Sequence, residues 1–551
     1  MIQTIDHVAL LPAYLAAATA VLALVTDLAL ARRQVTVAVT ATGAAATAVA
    51  AWVVGTGPVR ETFCLPAAPD ACSYVADQTS ALMAVLFALL TLGVLGLSTG
   101  ALRSLPTGEY CFLLAASMTG GVALAYSRDL ITLIVALETL TLPLYALVGL
   151  KRRSLASAQG AVTLFVVSVV ATSVTLLGAA LLYASTGVVH LNQLAAALTG
   201  GVPAELQTLA TVSVVLILAG LAFKVAAVPF HAWAPAAYDG APVPVAAYLS
   251  TASKLGGVVA VLYVVVLGLR PWLDVIGWVL AALAIATMTV GNLVALRQRR
   301  VVRLLAWSSV AQAGYILAPL GVFAVASGRT DEALTLAVTA TIAYAIFYVV
   351  IELAAFGSVA AMRGGDADGG EIEAYRGAAR RAPLVGAAFT LALIGLAGLP
   401  PGLAGMFAKV AVIRALLGGG AGWLALIVAI NAVIGLVYYL RVAALLYSTP
   451  PEPEPAPAAV PVPAPAPAPA PESTRVTAPV GGPAAAAAAE QEPRPGPAAG
   501  LAVPAEEPEG PPGSSAVPWA VAAALAGATL VAIVIGFAPQ LVLDLATLAV
   551  P

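Results

Sequence analysis

Runs of about 20 apolar residues recur along nearly the whole chain, and this pattern limits the possible folds more than any other feature of the sequence. A helix needs about 20 apolar residues to cross the hydrocarbon core of a bilayer. Only 9% of the 551 residues are charged, whereas about a quarter are charged in a typical soluble domain. The pattern therefore excludes a single soluble fold and predicts an all-α integral membrane protein with about fourteen transmembrane helices.

The predicted spans are numbered one to fourteen in chain order, and the numbers are kept below. They cover residues 9–30, 35–54, 80–102, 108–126, 128–149, 157–184, 207–228, 243–268, 272–295, 302–324, 333–360, 384–414, 420–447 and 517–541.

The distribution of Arg and Lys among the loops predicts the orientation. With the N-terminus placed outside the cytoplasm, seventeen cationic loop residues fall on one side of the membrane and four on the other. The four are Arg60, Arg128, Arg270 and Arg329. Because cytoplasmic loops carry the excess of Lys and Arg, and because the number of spans is even, both termini are predicted to lie outside the cytoplasm.

Two of the three cysteines, Cys64 and Cys72, share the loop between spans two and three. The predicted orientation places that loop on the oxidising side, where a disulfide is permitted. Two free thiols remain the alternative, because spacing alone does not establish the geometry. Cys111 is interpreted as a packing residue.

Residues 449–516 interrupt the hydrophobic pattern with alternating Pro and Ala, an Ala run and scattered Glu. Such a segment cannot bury a core, so it is predicted to be a disordered cytoplasmic loop. The chain then divides into an N-terminal three-helix segment (1–104), two five-helix blocks (105–270 and 271–448), the loop and a C-terminal helix (517–551).

Lysine is rare in this chain but concentrated in the membrane. Arg outnumbers Lys by 21 to 4, yet Lys224, Lys254 and Lys409 all lie within apolar spans. Placing one such charge in a membrane helix costs about 2.5–3.5 kcal/mol. The chemistry prefers Lys over Arg for a cationic group that must release its proton, because a guanidinium stays protonated. A titratable relay is therefore predicted, and the alternative is structural lysines that pair with carboxylates or reach an interface.

Glu138 lies within span five, where a carboxylate needs a partner or a proton. Lys224 is its natural partner. A pair that forms and separates would provide a gated proton switch.

Two spans carry proline beside a lysine: Pro229 follows Lys224 in span seven, and Pro400 and Pro401 precede Lys409 in span twelve. Proline removes a backbone donor, and the freed carbonyls are tolerated at membrane depth only inside protein or along a hydrated cavity. Spans seven and twelve are each fourth in a block of five, four to eight and nine to thirteen. Broken helices at corresponding positions indicate two inverted five-helix repeats.

Two further polar residues are candidates. His231 follows the first break and could pass a proton between buried water and a lysine, or it could cap freed carbonyls there. Glu352, in span eleven, could pair with Lys409 or Lys254, or it could face a neighbouring subunit.

Three stretches resemble the antiporter-like subunits of proton-translocating NADH:quinone oxidoreductase (respiratory complex I). GLAFKVAAVPFHAWAPAAYDGAPVPVAAYLSTASKLGG at 220–257 is similar to the family's seventh and eighth helices. RLLAWSSVAQAGYIL at 303–317 resembles the tenth, and ARRAPLVGAAFTLALIGLAGLPPGLAGMFAK at 379–409 resembles the broken twelfth. The N-type branch fits best, because the M-type has glutamate where this chain has Lys409 and the L-type carries a long lateral helix. The departures are Ala236, where the family commonly has Asp, and the Pro/Ala insertion.

The resemblance implies a proton relay through Glu138, Lys224, Lys254 and Lys409. It also implies that NADH, FMN, iron–sulfur clusters and quinone are bound by other subunits, with no cofactor or metal in this chain. The implied partners are M-, K-, J- and A-type membrane subunits and the lipid bilayer of the bacterial plasma membrane, with no nucleic acid.

Three functions remain in competition at this stage. The first is the proton-translocating subunit of NADH:quinone oxidoreductase, an enzyme complex whose redox chemistry occurs elsewhere. The second is a subunit of a multi-subunit cation/proton antiporter or a membrane-bound hydrogenase. The third is a structural membrane scaffold whose buried charges only determine helix packing.

Overall fold

The structure is a computed structural model that describes residues 5–151, 154–364, 368–449 and 517–548. The predicted disordered loop lies outside the described residues except for its first residue, Thr449. Within the described ranges, thirteen helices are long and apolar enough to cross a membrane. They are Leu11–Leu30, Arg33–Gly55, Gln78–Ser98, Thr107–Tyr126, Leu130–Val148, Leu155–Thr186, Ala204–Lys224, Val243–Gly268, Arg270–Ala295, Val301–Ala324, Asp331–Arg363, Gly422–Tyr447 and Trp519–Phe537.

These helices correspond in order to the predicted spans, with span twelve as the exception. Span twelve consists of two shorter helices, Pro383–Ala397 and Leu403–Gly418. The prediction of an all-α integral membrane protein is confirmed, and the chain is a multi-pass membrane protein.

Shorter elements join the spans. Helices of four to ten residues cover Leu191–Gly200, Trp233–Gly240, Ala378–Arg381 and Pro539–Leu548. Turns of 3-10 helix between the spans cover Ala101–Arg103, Ala326–Arg329 and Ile372–Tyr375. Three more form the ends of spans and cover Ala204–Leu206, Arg270–Trp272 and Ala318–Ala324.

The loop between spans two and three forms a β-hairpin that the sequence analysis did not predict. Strand β1 (Arg60–Leu65) pairs antiparallel with strand β2 (Ala68–Ala76), and Cys64 lies opposite Cys72. The two cysteines form a disulfide, and Cys111 is free and buried. The hairpin was missed because its strands do not show the strict alternation of apolar and polar residues that indicates a strand.

Polar residues at the start of the spans satisfy backbone donors that a helix leaves unpaired. Asp77 accepts from the amide of Ser80 before span three, and Asp129 accepts from the amides of Ile131 and Thr132 before span five. Such caps stabilise a helix end by about 1 kcal/mol. They define where these two spans begin.

The spans differ in how deeply they lie in the protein. Of the most apolar stretch of each span, 94% is buried in span eight and 89% in span ten, but only 22% in span one. Spans eight and ten are therefore surrounded by protein, while span one leaves most of its surface for lipid. Because Lys254 lies on span eight, its charge is enclosed by protein.

Span eight is not a regular α-helix. Leu249–Ser253 and Tyr263–Gly268 are π-helical, and the α-helical segment Lys254–Leu262 lies between them. π-helical turns inside α-helices are rare and frequent at functional sites. Lys254 is the first residue after one of them.

The first two spans of each five-helix block pack against each other. Span four packs against span five, and span nine against span ten. In both pairs a glycine allows close approach: a Cβ on Gly120 would lie 2.1 Å from the Leu140 amide nitrogen, and one on Gly291 would lie 2.6 Å from that of Ala311. This agreement favours two related blocks, while the domain limits stay a prediction.

Candidate functional site

The first helix break begins at Lys224. Span seven ends at this residue, and regular helix resumes at Trp233. Side chains satisfy two of the backbone groups near the break: the Trp233 indole donates to the carbonyl of Phe223 (3.1 Å), and the amide of Val228 donates to the Thr287 hydroxyl (3.0 Å). A break at this depth is tolerated because protein groups replace the missing helical bonds.

Lys224 and Glu138 form an ion pair inside the membrane domain. The Lys224 Nζ lies 2.7 Å from a carboxylate oxygen of Glu138, and the two side chains are 6% and 21% exposed. The same ammonium lies 3.2 Å from the Thr141 hydroxyl and 3.3 Å from that of Ser168. The Thr172 hydroxyl donates to Glu138 at 2.6 Å. Spans five, six and seven therefore meet around one buried charge pair.

Lys254 has no carboxylate within ion-pair distance among the described residues. Its Nζ donates to the backbone carbonyl of Ser309 and to the Ser309 hydroxyl, the latter at 2.5 Å. The Ser309 and Tyr348 hydroxyls lie 2.7 Å apart, and Tyr348 donates to the carbonyl of Ser250 (2.9 Å). Spans eight, ten and eleven are joined through this hydroxyl pair.

Lys409 is held by the backbone at the second helix break. Its Nζ donates to the carbonyls of Leu396 (3.0 Å) and Ala397 (2.5 Å), the last two residues of the first half of span twelve. Helix termini leave such carbonyls without helical partners. The ammonium also lies 5.2 Å from the centre of the Tyr315 ring.

Gln312 links the second break to span thirteen. Its amide donates to the Leu396 carbonyl (3.1 Å) and to the Tyr439 hydroxyl (3.0 Å), and its oxygen accepts from Tyr344 (2.6 Å). Lys409 and Gln312 therefore share one backbone acceptor. The sequence analysis quoted this stretch but did not single out Ser309 or Gln312. Ser309 and Gln312 lie three residues apart and so share a face of one buried helix, and this spacing was the sequence pattern that could have identified them.

A small cavity separates the first ion pair from span eight. It has room for about one water molecule and is lined by residues that include Lys224, Ser168, Trp233 and Ser253. Ser253 directly precedes Lys254. The cavity therefore extends from the first lysine to the span that carries the second.

His231 lies within the first break, two residues before regular helix resumes at Trp233, and is partly buried. Its ring packs against Trp307 with 5.1 Å between ring centres, and its buried Nδ1 has no hydrogen-bond partner among the residues that the structure describes. The structure does not bring it into hydrogen-bond contact with any of the three lysines.

Glu352 is fully buried, so it does not face a neighbouring subunit. The predicted ion pair with Lys409 or Lys254 is not formed within the described ranges. Neither oxygen of the carboxyl group has a hydrogen-bond partner there. Tyr348, one turn before Glu352 on span eleven, contacts Ser250 of span eight and Ser309 of span ten.

Comparison with known proteins identifies the family. A family model described as "NADH:quinone oxidoreductase/Mrp antiporter, TM" matches residues 127–435. NADH-quinone oxidoreductase subunit N of Salinispora tropica is 60% identical and covers 99% of this chain and 99% of its own length. Subunit N 2 of Streptomyces griseus is 46% identical over 82% of this chain and 84% of its own length.

Two solved structures share the fold. A chain of respiratory complex I from Thermus thermophilus, with bound aureothin, has a TM-score of 0.70 at 26% identity and covers 97% of this chain and 98% of its own. A chain of the Mrp complex from a Dietzia species has a TM-score of 0.75 at 24% identity, with 98% and 97% covered. At that identity the second likeness shows the fold alone.

The fold and its broken, lysine-bearing spans define an antiporter-like membrane subunit. Sequence identity across almost the full length then favours the oxidoreductase subunit over the antiporter subunit, because the likeness to the Mrp chain shows only the fold. The chain belongs to the subunit N family of NADH-quinone oxidoreductase.

Proposed function

We propose that protons cross this subunit of NADH-quinone oxidoreductase through Glu138, Lys224, Lys254 and Lys409, in step with quinone reduction elsewhere in the complex. The observation that carries the proposal is the buried ion pair of Lys224 and Glu138 at the break of span seven. All three membrane lysines lie on spans that are broken or carry π-helical turns.

The ion pair supplies a switch. In a medium of low dielectric constant, the attraction between an ammonium and a carboxylate is several times stronger than in water. The proton on Lys224 is therefore held while Glu138 is in contact and released when spans five and seven move apart. Thr141 and Ser168 offer the lysine neutral partners in the separated state.

Lys254 and Lys409 continue the path with neutral partners. Lys254 donates to Ser309, and Lys409 donates to two backbone carbonyls. At each site the neutral amine accepts a proton, becomes an ammonium and then passes the proton on, while its hydrogen-bond partners carry no charge. We place His231 beside this path, where its unpartnered Nδ1 is able to accept a proton.

Orientation, partners and cofactors are part of the same proposal. The excess of cationic residues in one set of loops supports termini outside the cytoplasm, in a bacterial inner membrane. The family supports neighbours of the M, K, J and A type. It also supports NADH, FMN, iron–sulfur clusters and quinone in other subunits. Within the described ranges, Cys111 is the one free cysteine, and it is buried. An iron–sulfur cluster needs several cysteine ligands, so Cys111 alone would not hold one.

The test compares Lys224→Ala with Lys151→Ala in membrane vesicles, after assembly of the whole complex has been confirmed. Lys151 provides the matched control because it lies in a loop and is the chain's one lysine outside the spans. We expect Lys224→Ala to lose proton pumping and Lys151→Ala to retain it. Normal pumping and quinone reduction by assembled Lys224→Ala would instead support the structural scaffold, in which the lysines serve packing.

A further inference from the structure

Glu352 is a buried acidic group that the relay described above does not use. It lies on span eleven with 0% of its surface exposed, and neither carboxyl oxygen has a partner among the described residues. Burying an ionised carboxylate without a hydrogen bond is costly. A bilayer-spanning chain keeps such a group only where it is neutral or is balanced by a nearby cation.

The helix face that carries Glu352 is directed at the lysine path. Tyr344, Tyr348, Glu352 and Phe356 recur every four residues and so share a face of span eleven. Tyr344 bonds to Gln312, and Tyr348 bonds to Ser309 and to the Ser250 carbonyl. The Phe356 ring lies 6.3 Å from that of Tyr238. Glu352 therefore lies between two residues whose contacts are with the interior of the protein.

Lys254 is the cation that the contacts of this helix face reach, because Tyr348, one turn before Glu352, contacts the serine that holds the Lys254 ammonium. Among the described residues, the other titratable groups that face Glu352 are Tyr238, Tyr348 and Tyr439. The Ser309 hydroxyl contacts Lys254 (2.5 Å) and Tyr348 (2.7 Å), and it lies 3.5 Å from the Tyr238 hydroxyl. A short series of hydroxyls thus connects the lysine with the surroundings of Glu352.

We propose that Glu352 is an additional proton-carrying residue, which exchanges a proton with Lys254. The Lys254 ammonium gives one proton to the Ser309 hydroxyl, and Ser309 passes its own proton to the Tyr348 hydroxyl. Tyr348 turns its hydroxyl from the Ser250 carbonyl to the Glu352 carboxylate and passes a proton on, which leaves a neutral amine and a neutral carboxylic acid. The reverse step restores the ammonium and the carboxylate. Both forms of the pair have zero net charge, so the transfer moves no net charge into the low-dielectric interior. The inference rests on the proposed function, because Lys254 must itself carry protons.

The test uses Glu352→Gln in the assembled complex, with protons pumped per quinone reduced measured in vesicles. Glu332→Gln is the matched control, because Glu332 lies exposed in the first turn of the same helix. We expect Glu352→Gln to lower pumping by at least about tenfold, as the loss of a proton-transfer group does, and Glu332→Gln to leave it unchanged. The double variant with Lys254→Met should pump no worse than Lys254→Met alone, because both residues serve one step.

The variants also separate this inference from the relay itself. Normal pumping by Lys254→Met overturns the relay at this position. If Lys254→Met loses pumping and Glu352→Gln pumps normally, only the role of Glu352 is overturned. The same holds if the fold-reductions in pumping of the two single variants multiply in the double variant. If Glu352→Gln does not assemble, Glu352→Met takes its place. An assembled Glu352→Met complex that does not pump supports the proposal. Normal pumping by this variant, or its failure to assemble, would make Glu352 a structural residue.

Discussion

The two broken helices each place a lysine next to a proline-containing interruption, yet they hold that lysine in different ways. At the first break, Lys224 is paired at 2.7 Å with a carboxylate that belongs to another helix, span five. At the second break, Lys409 donates to Leu396 and Ala397, which are carbonyls of its own broken helix.

This difference has a physical consequence. The charge of Lys224 is balanced by a group that moves with a different helix, so its protonation depends on the distance between spans five and seven. The charge of Lys409 is stabilised by backbone dipoles within span twelve, so it depends on the shape of that break. Protonation of Lys224 therefore responds to movement of span five relative to span seven. Lys409 exchanges protons without depending on the movement of another helix.

Replacing each lysine by arginine produces the largest expected effect and tests the comparison directly. A guanidinium does not release its proton, so Lys224→Arg and Lys409→Arg should each reduce pumping about a hundredfold or more. Only Lys224→Arg should keep normal thermal stability, because a guanidinium pairs well with Glu138. Lys409→Arg must fit a larger group beside backbone, which costs about 1–3 kcal/mol.

Pumping assays and thermal unfolding of the assembled complex would distinguish the two arginine variants. Equal stability of both would contradict the proposed difference between the breaks.

The next largest effect is expected from Glu138→Gln. This substitution removes the charge that balances Lys224 and keeps the shape of the side chain, so we expect pumping per quinone reduced to fall about tenfold. Glu109→Gln, at an exposed position in the first turn of span four, is the control. Unchanged pumping in Glu138→Gln would mean that Lys224, like Lys409, needs no opposing charge.

A smaller effect is expected at Gly398, which follows the first half of span twelve. Its φ is +83°, and a Cβ there would lie 2.7 Å from the Lys409 Cδ. Gly398→Ala should destabilise the break by about 1–2 kcal/mol, the cost of a left-handed conformation. It should also displace Lys409 from its carbonyls and slow pumping several-fold, as measured by thermal unfolding and vesicle assays.

Gly527→Ala is the control for Gly398→Ala, because a Cβ at Gly527 meets open space. If both alanine variants pump normally, the position of Lys409 does not depend on the break geometry.

The smallest effect on pumping is expected for Thr172→Val, which removes one hydrogen bond to Glu138 and leaves the ion pair in place. A hydrogen bond to a charged group contributes about 1.5–3 kcal/mol. Thr139→Val is matched to it, since the Thr139 hydroxyl bonds only to its own helix in the described structure. Thermal unfolding should show a modest loss for Thr172→Val alone. A collapse of pumping would show that Glu138 is positioned chiefly by Thr172.

Much of the fold was predictable because its determinants are local in the sequence. An apolar run of sufficient length must cross the membrane as a helix. Thirteen of the fourteen predicted spans are long helices in the predicted order, and the remaining one, span twelve, is broken into two helices. Lysines in the apolar spans and the adjacent prolines likewise identified both breaks. The β-hairpin and the π-helical turns of span eight were not predicted, because their form depends on what packs against them.

The sequence by itself determined which charges enter the membrane and which helices are interrupted, since residue type and spacing carry that information. Only the tertiary structure decided the partners: Glu138 for Lys224, Ser309 for Lys254, and backbone carbonyls for Lys409. It also left Glu352 without the predicted ion pair. These contacts join residues from 12 to 86 positions apart, and such distances close only when helices pack.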